Sequence, residues 1–562
     1  MNQTLFHQTK KQNLLILLFV LSSFSSIFAQ FSRQDSLRGT LSAVRSCYDV
    51  TFYDLKLKVI PTSQSIEGSN TIYYKSTTDF KKMQVDLFAN MQIVNIIQND
   101  KPLKFTREGN ATFINFADVQ KKNKKYSIKI EYRGRPQIAR NPPWDGGFTW
   151  KKDPNGKDWI VVSCEGTGAS LWFPNKDHLS DEPDSVKITC AVPKGLMCVS
   201  NGNLRSTKDL KNDAPASDNK SLNGVSFQPF TEYEWFVSYP INNYNISLNI
   251  ADYANFKDVY TAQDGEKLDL DYYVLKPNLE KAKTHFKQVK PMLACYEKLF
   301  GKYPFWKDGY ALVETPYWGM EHQSAVAYGN NYRNNEYGFD FIIIHESGHE
   351  YFGNSLSCND HAEMWIHESF TTYMEALYVE CMQNYEKSIR YLEKQKSGIR
   401  NAEPMIGALG VNYPQPDSDI YYKGTWMLHT LRNVVNDDKI WFETLKGLAT
   451  KFKISNVTTE QVIQYFNEKT GKDLTPIFNM YLKTKQIPVL QYQINSKSDN
   501  TIELRYRWKE ATPMMPIKAG FGLQKYEVIS PNTEWQTRVF EKVEGQELKI
   551  ATELFYIKTE KL

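Results

Sequence analysis

The spacing of apolar and polar positions changes twice along the chain. Residues 50–59 alternate apolar with polar side chains, and similar short runs recur at 70–74, 84–87, 126–132 and 186–192. A period of two predicts half-buried strands, and many short strands parted by turns predict an antiparallel β domain. Residues 205–224, rich in Lys, Asp, Asn and Ser, read as a solvated loop inside that domain. From residue 252 the period lengthens: over 278–300, Leu279, Ala282, Phe286, Val289, Leu293 and Tyr296 fall at helical spacing, with Pro291 predicting a kink or break. Strand-like runs return at 491–494, 501–508, 520–523, 534–540 and 548–550, which predicts a small β-sandwich. The expected fold class is therefore multidomain α+β, with a β domain at 30–251, a mostly helical domain at 252–485 and a C-terminal β-sandwich at 486–562.

The first residues carry a different signal. Lys10 and Lys11 precede an apolar run at 14–21, and Ile27-Phe28-Ala29 ends in a small residue suited to cleavage before Gln30. Residues 1–29 read as a signal peptide, which predicts an exported protein, periplasmic or extracellular; an uncleaved N-terminal anchor is the alternative. No later apolar run is long enough to span a membrane, so the mature chain is expected to have no transmembrane helix. A net charge of +4 spread over 562 residues forms no basic stripe, which argues against nucleic acid as a partner. Seven cysteines are too few and too scattered for a disulfide framework; Cys190 with Cys198 is one candidate bridge.

The candidate chemistry centres on His345-Glu346-Ser347-Gly348-His349, an H-E-x-x-H motif on a predicted helix, with Asp340 as its N-cap and Gly353 as its stop. Histidines at i and i+4 lie about 40° apart around a helix and can reach one ion from one face. Glu346 points off that line, where it can act as a base on a metal-bound water. Catalytic zinc takes three protein ligands and leaves one position for water, so a third ligand is expected on a neighbouring element. Glu368 supplies it, within a helical segment at 364–375 that would pack antiparallel to the first. His361 and His367 read as flanking, solvated histidines.

These residues, with Tyr351-Phe352-Gly353-Asn354 after the second histidine, resemble the zinc-dependent aminopeptidases of the M1 family. The resemblance extends to residues 48–68 and 172–183, to Phe300-Gly301-Lys302-Tyr303-Pro304-Phe305, and to residues 481–490 at the exit from the catalytic domain. It implies a thermolysin-like catalytic domain, one Zn2+ per chain held by His345, His349 and Glu368, and peptide substrates with a free N-terminus. Trp318-Gly319-Met320-Glu321-His322 resembles the family's exopeptidase motif, with Trp318 in place of a glycine and His322 in place of an asparagine. There Gly319 would let the backbone approach a bound peptide and Glu321 would hold its amine. By the same resemblance Glu165 contacts that amine, Glu375 hydrogen-bonds a zinc-ligating imidazole, and Tyr421 rather than Tyr422 donates to the oxyanion. The chain ends where many family members continue into a helical domain, which implies a short form with a more open cleft. Two other functions stay open in the sequence: a zinc-binding scaffold without catalysis, and a hydrolase of a non-peptide substrate such as a lipid epoxide.

Overall fold

The computed structural model describes residues 31–210, 229–412, 418–498 and 500–562. The expected signal peptide and most of the expected 205–224 loop lie outside these residues. The described start of that loop is a strand instead, Asn203–Asp209, paired to Phe230–Val237 at a sheet edge. Its polar residues suit an edge whose outer face meets water.

The N-terminal region is built on an eight-stranded sheet. Its order runs Asn203–Asp209, Phe230–Val237, Ser185–Pro193, Tyr48–Ile60, Ser65–Ser76, Lys125–Gly134, Met91–Gln98 and Lys101–Pro102. All neighbours are antiparallel except Tyr48–Ile60 and Ser185–Pro193, which run parallel. In Tyr48–Ile60 the buried positions change phase, from Tyr48 and Val50 to Tyr53, Leu55, Leu57 and Val59. A bulge between Val50 and Phe52 inserts the extra residue that flips the facing.

The middle region joins a five-stranded sheet to a set of helices. The sheet order is Tyr253–Thr261, Lys267–Leu275, Tyr310–Glu314, Val326–Tyr328 and Gly319–Met320, which leaves Gly319–Met320 as an edge. The amphipathic run at 278–300 forms two helices, Leu279–His285 and Val289–Phe300, separated by a tight turn at Phe286–Gln288. The break therefore precedes Pro291, which sits in the first turn of the second helix, where it removes no intrahelical hydrogen bond. The helices Phe341–Gly348 and Trp365–Met382 pack against each other and are almost wholly buried. Three consecutive isoleucines, Ile342 to Ile344, are poor helix formers on their own account, and burial on all sides offsets that preference.

The C-terminal region holds two sheets, one of Gln536–Glu541, Thr501–Trp508, Val489–Ser498 and Lys558–Lys561, the other of Tyr526–Ile529, Ile517–Gly520 and Lys549–Ile550. The run expected as a strand at 520–523 is a strand end followed by a turn at Leu523–Lys525. Tyr481 donates to the Tyr556 carbonyl (2.7 Å) and Tyr556 N–H to Thr430 Oγ1 (2.9 Å), tying this region to the catalytic helices. Cys190 and Cys198 are free, buried thiols.

Candidate active site

The motif helix, Phe341–Gly348, starts on Asp340, whose carboxylate accepts from Ile342 N–H (3.0 Å). It ends earlier than expected, with His349 as its C-terminal cap rather than at Gly353, which lies in the following turn with a φ of +134°. Both imidazoles still point to one place: His345 Nε2 and His349 Nε2 are 3.3 Å apart. From Trp365–Met382, Glu368 Oε2 approaches them to 3.8 Å and 3.4 Å.

This triangle fits zinc on three grounds. Donors held at about 2.0–2.1 Å in a tetrahedron stand roughly 3.3 Å apart, close to the distances found. Glu368 Oε2 is buried and no hydrogen bond satisfies it. A buried anionic oxygen is expensive to strand, so its orphaned state marks the place of a cation. The imidazoles are held through their other nitrogens, His345 Nδ1 against Glu375 Oε1 (2.7 Å) and His349 Nδ1 against the Phe352 carbonyl (3.0 Å), which leaves both Nε2 atoms facing inward as ligands. Burial pushes the His345 pKa down to about 3, favouring the neutral form that coordinates. Burial works against charge on Glu368, but His349, His345 and Tyr421 outweigh it and hold that carboxyl below its ordinary value.

The other candidate residues surround the same point. A second donor set, Glu321, Glu346 and His349, lies with its ligand atoms within 4.8 Å of one another. Glu321 sits just beyond the sheet edge, 3% exposed, and accepts from Tyr244 O–H (3.1 Å), while Asn354 Nδ2 donates to its backbone carbonyl (2.7 Å). Burial raises the Glu321 and Glu346 pKa values, opposed in part by His349, with nearby carboxylates adding to the rise. The space that a Cβ at Gly319 would need is filled by Glu346 Oε1, 2.4 Å away. The missing side chain thus makes room for Glu346 itself, and not only for an approaching ligand. Glu165 and Tyr421 line the same cavity of about 520 Å³, with the Tyr421 ring stacked 6.2 Å from that of His345. Burial and Glu368 push the Tyr421 pKa well up, so its phenol keeps its proton.

Sequence reasoning placed Glu375 behind an imidazole but missed the residues that hold Glu375 and Glu321 in turn. Glu375 is buried, and its second oxygen accepts from Tyr391 O–H (2.5 Å) and Gln395 Nε2 (3.1 Å). Tyr244 reaches Glu321 from the N-terminal β region. No local spacing signals either contact. His367, expected to be solvated, is fully buried, and its Nε2 accepts from Cys358 N–H (2.9 Å); His361 is partly buried at the cavity wall.

Two imidazoles from one helix, a carboxylate from the next and a free carboxylate beside them define a zinc metallopeptidase site of the His-Glu-x-x-His plus Glu type. Residues 286–481 match the peptidase family M1 domain and residues 50–218 the peptidase M1 N-terminal domain, so that models of one family span well over half of the chain. The chain belongs to the M1 family of zinc metallopeptidases, with a β-sheet region rather than helices at its C-terminal end. It is 22% identical over 501 residues to leukotriene A-4 hydrolase of Xenopus laevis, a match covering 83% of this chain and 76% of that one. Its fold is similar to that of an M1 zinc metallopeptidase mutant from Deinococcus radiodurans bound to a Tyr-Ser-Ala substrate (TM-score 0.63, 17% identity, 78% of this chain and 95% of that one). It is also similar to Legionella pneumophila aminopeptidase A in complex with aspartic acid (TM-score 0.74, 16% identity, 92% of this chain and 60% of that one). Domain architecture and site together support a metallo-aminopeptidase activity. Among the described residues no helix is long and apolar enough to cross a membrane.

Proposed function

We propose that the protein hydrolyses the first peptide bond of peptides that carry a free N-terminus, and that it does so in an exported compartment. The observation that carries this reading is the position of Glu321, just beyond a sheet edge, with its carboxylate within 4.8 Å of the ligand atoms of both Glu346 and His349. A peptide adding to the Gly319–Met320 edge brings its α-ammonium group to Glu321, with Glu165 on the cavity wall as a second acceptor. The length from amine to first carbonyl then decides which bond meets the metal ligands, and that is exopeptidase specificity.

His345, His349 and Glu368 would hold the zinc, which when bound would supply Lewis acidity toward water and toward the scissile carbonyl. Glu346 takes the proton of the attacking water and passes it to the departing amine; its raised proton affinity suits both halves of that task. Tyr421, protonated and beside the His345 ring, donates to the oxyanion. Glu375 fixes the tautomer of His345. The Tyr-Ser-Ala complex of the Deinococcus relative supports a short peptide as the substrate class.

A panel of aminoacyl anilides, run with a chelator and then with added zinc, tests this reading. Hydrolysis should stop with the chelator and return with zinc. Hydrolysis that persists without metal contradicts it.

A further inference from the structure

Two indoles stand open at the mouth of the cavity, Trp144 at 63% exposure and Trp318 at 47%. They come from distant parts of the chain, one from the N-terminal region and one from the sheet edge, yet their rings meet at 6.4 Å. Trp318 next contacts Phe341 (5.6 Å), and Phe341 contacts His345 (5.4 Å), so an aromatic wall runs from solvent to a metal ligand. Large aromatic surface left in water forfeits the stabilisation that burial would give, so such a wall suits a surface that something covers. The Trp318 ring and the Trp144 loop are held in place before anything binds. Trp318 Nε1 donates to Asn330 Oδ1 (3.1 Å). The Trp144 loop is pinned by Trp144 N–H to the Asn141 carbonyl (3.0 Å), Asn141 N–H to Asp145 Oδ2 (2.9 Å) and Thr167 Oγ1 to the Asp145 carbonyl (3.0 Å).

We propose that Trp318 and Trp144 form the subsite for the second residue of the peptide, the one released with the new amine, and that this subsite takes an aromatic side chain. The inference rests on the aminopeptidase reading and follows from chain direction. With the peptide amine at Glu321 and the peptide antiparallel to the edge strand, its residues run back along the strand, past Gly319 and Glu346, toward Trp318. The first bond lies against Glu346, whose Oε1 crowds the missing Cβ position of Gly319, and the next side chain meets Trp318. The Trp318 indole N–H is already bonded to Asn330, so Trp318 and Phe341 offer ring contact rather than hydrogen bonds, which selects aromatic over small or polar side chains.

The test is kcat/KM of the zinc-loaded protein for Ala-Xaa-Ala tripeptides with Phe, Trp, Gly or Lys at the second position. Phe and Trp should exceed Gly and Lys by about tenfold or more, within the range a side-chain pocket gives. Trp318→Ala and Trp144→Ala should each lower that ratio severalfold, and Trp318→Phe should keep most of it. Trp144 is on an exposed loop, so its variant tests the subsite even if Trp318→Ala fails to fold, which thermal melting shows. Equal rates for Phe and Gly, a preference for Lys, or a ratio untouched by the tryptophan substitutions overturns the subsite and leaves the aminopeptidase reading standing. No hydrolysis of any of the four peptides overturns both.

Discussion

Glu375 touches no expected substrate, yet one of its oxygens holds His345 and the other is held by Tyr391 and Gln395. Replacing it with alanine should weaken metal binding by about 10–100-fold, read by competition with a chelator; unchanged affinity would show that His345 needs no such support. On the proposed mechanism, Tyr421→Phe removes one donor to the oxyanion and should lower kcat by roughly a hundredfold or more, in line with about 2.7–4 kcal/mol, with metal content unchanged. Gly319→Ala places a Cβ where Glu346 Oε1 now lies and should lower kcat while the protein still binds metal; full activity would show that Glu346 can shift without loss. The pairing of His345 with His349 could be read from the sequence because a helix converts i, i+4 spacing into a shared face, a local rule. Tyr244 beside Glu321 and Trp144 beside Trp318 could not be read, because each pair joins residues far apart in sequence through the packing of separate regions.

Elements position the site as much as residues do. Asp340 caps the motif helix and also receives Tyr328 O–H (2.7 Å), Asn330 Nδ2 (2.8 Å) and His285 Nε2 (2.7 Å) on a carboxylate with no solvent exposure. Asp340→Ala removes the cap, about 0.5–2 kcal/mol, and strands the other partners. The total loss should reach about 3–5 kcal/mol, a scale known for broken buried charge networks, with Asp340→Asn costing less. Urea unfolding measures both, and a loss below 1 kcal/mol for the alanine variant would contradict this account. The same element shows where sequence patterns stop. Its start was legible from Asp340, but its end was not, since His349 closes the helix with its backbone N–H on the His345 carbonyl rather than through a glycine. Likewise the apolar period across 278–300 continues through a tight turn that keeps the same face buried, so the break at Phe286–Gln288 left no mark in the pattern.

At the scale of the molecule, the buried carboxyl of Glu182 links stability to pH. Burial lifts its pKa from 4.5 to about 8, the Ser357 hydrogen bond opposing and Asp181 adding to the rise. A raised carboxyl pKa means the fold holds a proton that the unfolded chain releases. Its contribution is therefore complete below about 4.5, declines as pH rises and is gone above about 8. Glu182→Gln should raise Tm relative to the unchanged protein at alkaline pH and much less at acidic pH, and the opposite order would contradict the sign. The three-region plan, β domain, helical catalytic region and C-terminal sheets, was legible from changes of period alone, whereas the parallel pair in the first sheet was not, because alternation does not encode strand direction. On the proposed function, the whole arrangement brings the carboxylate of Glu321, just beyond a sheet edge, beside the helices that carry His345, His349 and Glu368. The most direct measurement compares one tripeptide with its N-acetylated form on the zinc-loaded protein, with products read by mass spectrometry. Rapid release of the first residue from the free peptide and little or none from the acetylated one is the predicted result. Equal cleavage of both would contradict the role given to Glu321 and the exopeptidase assignment with it.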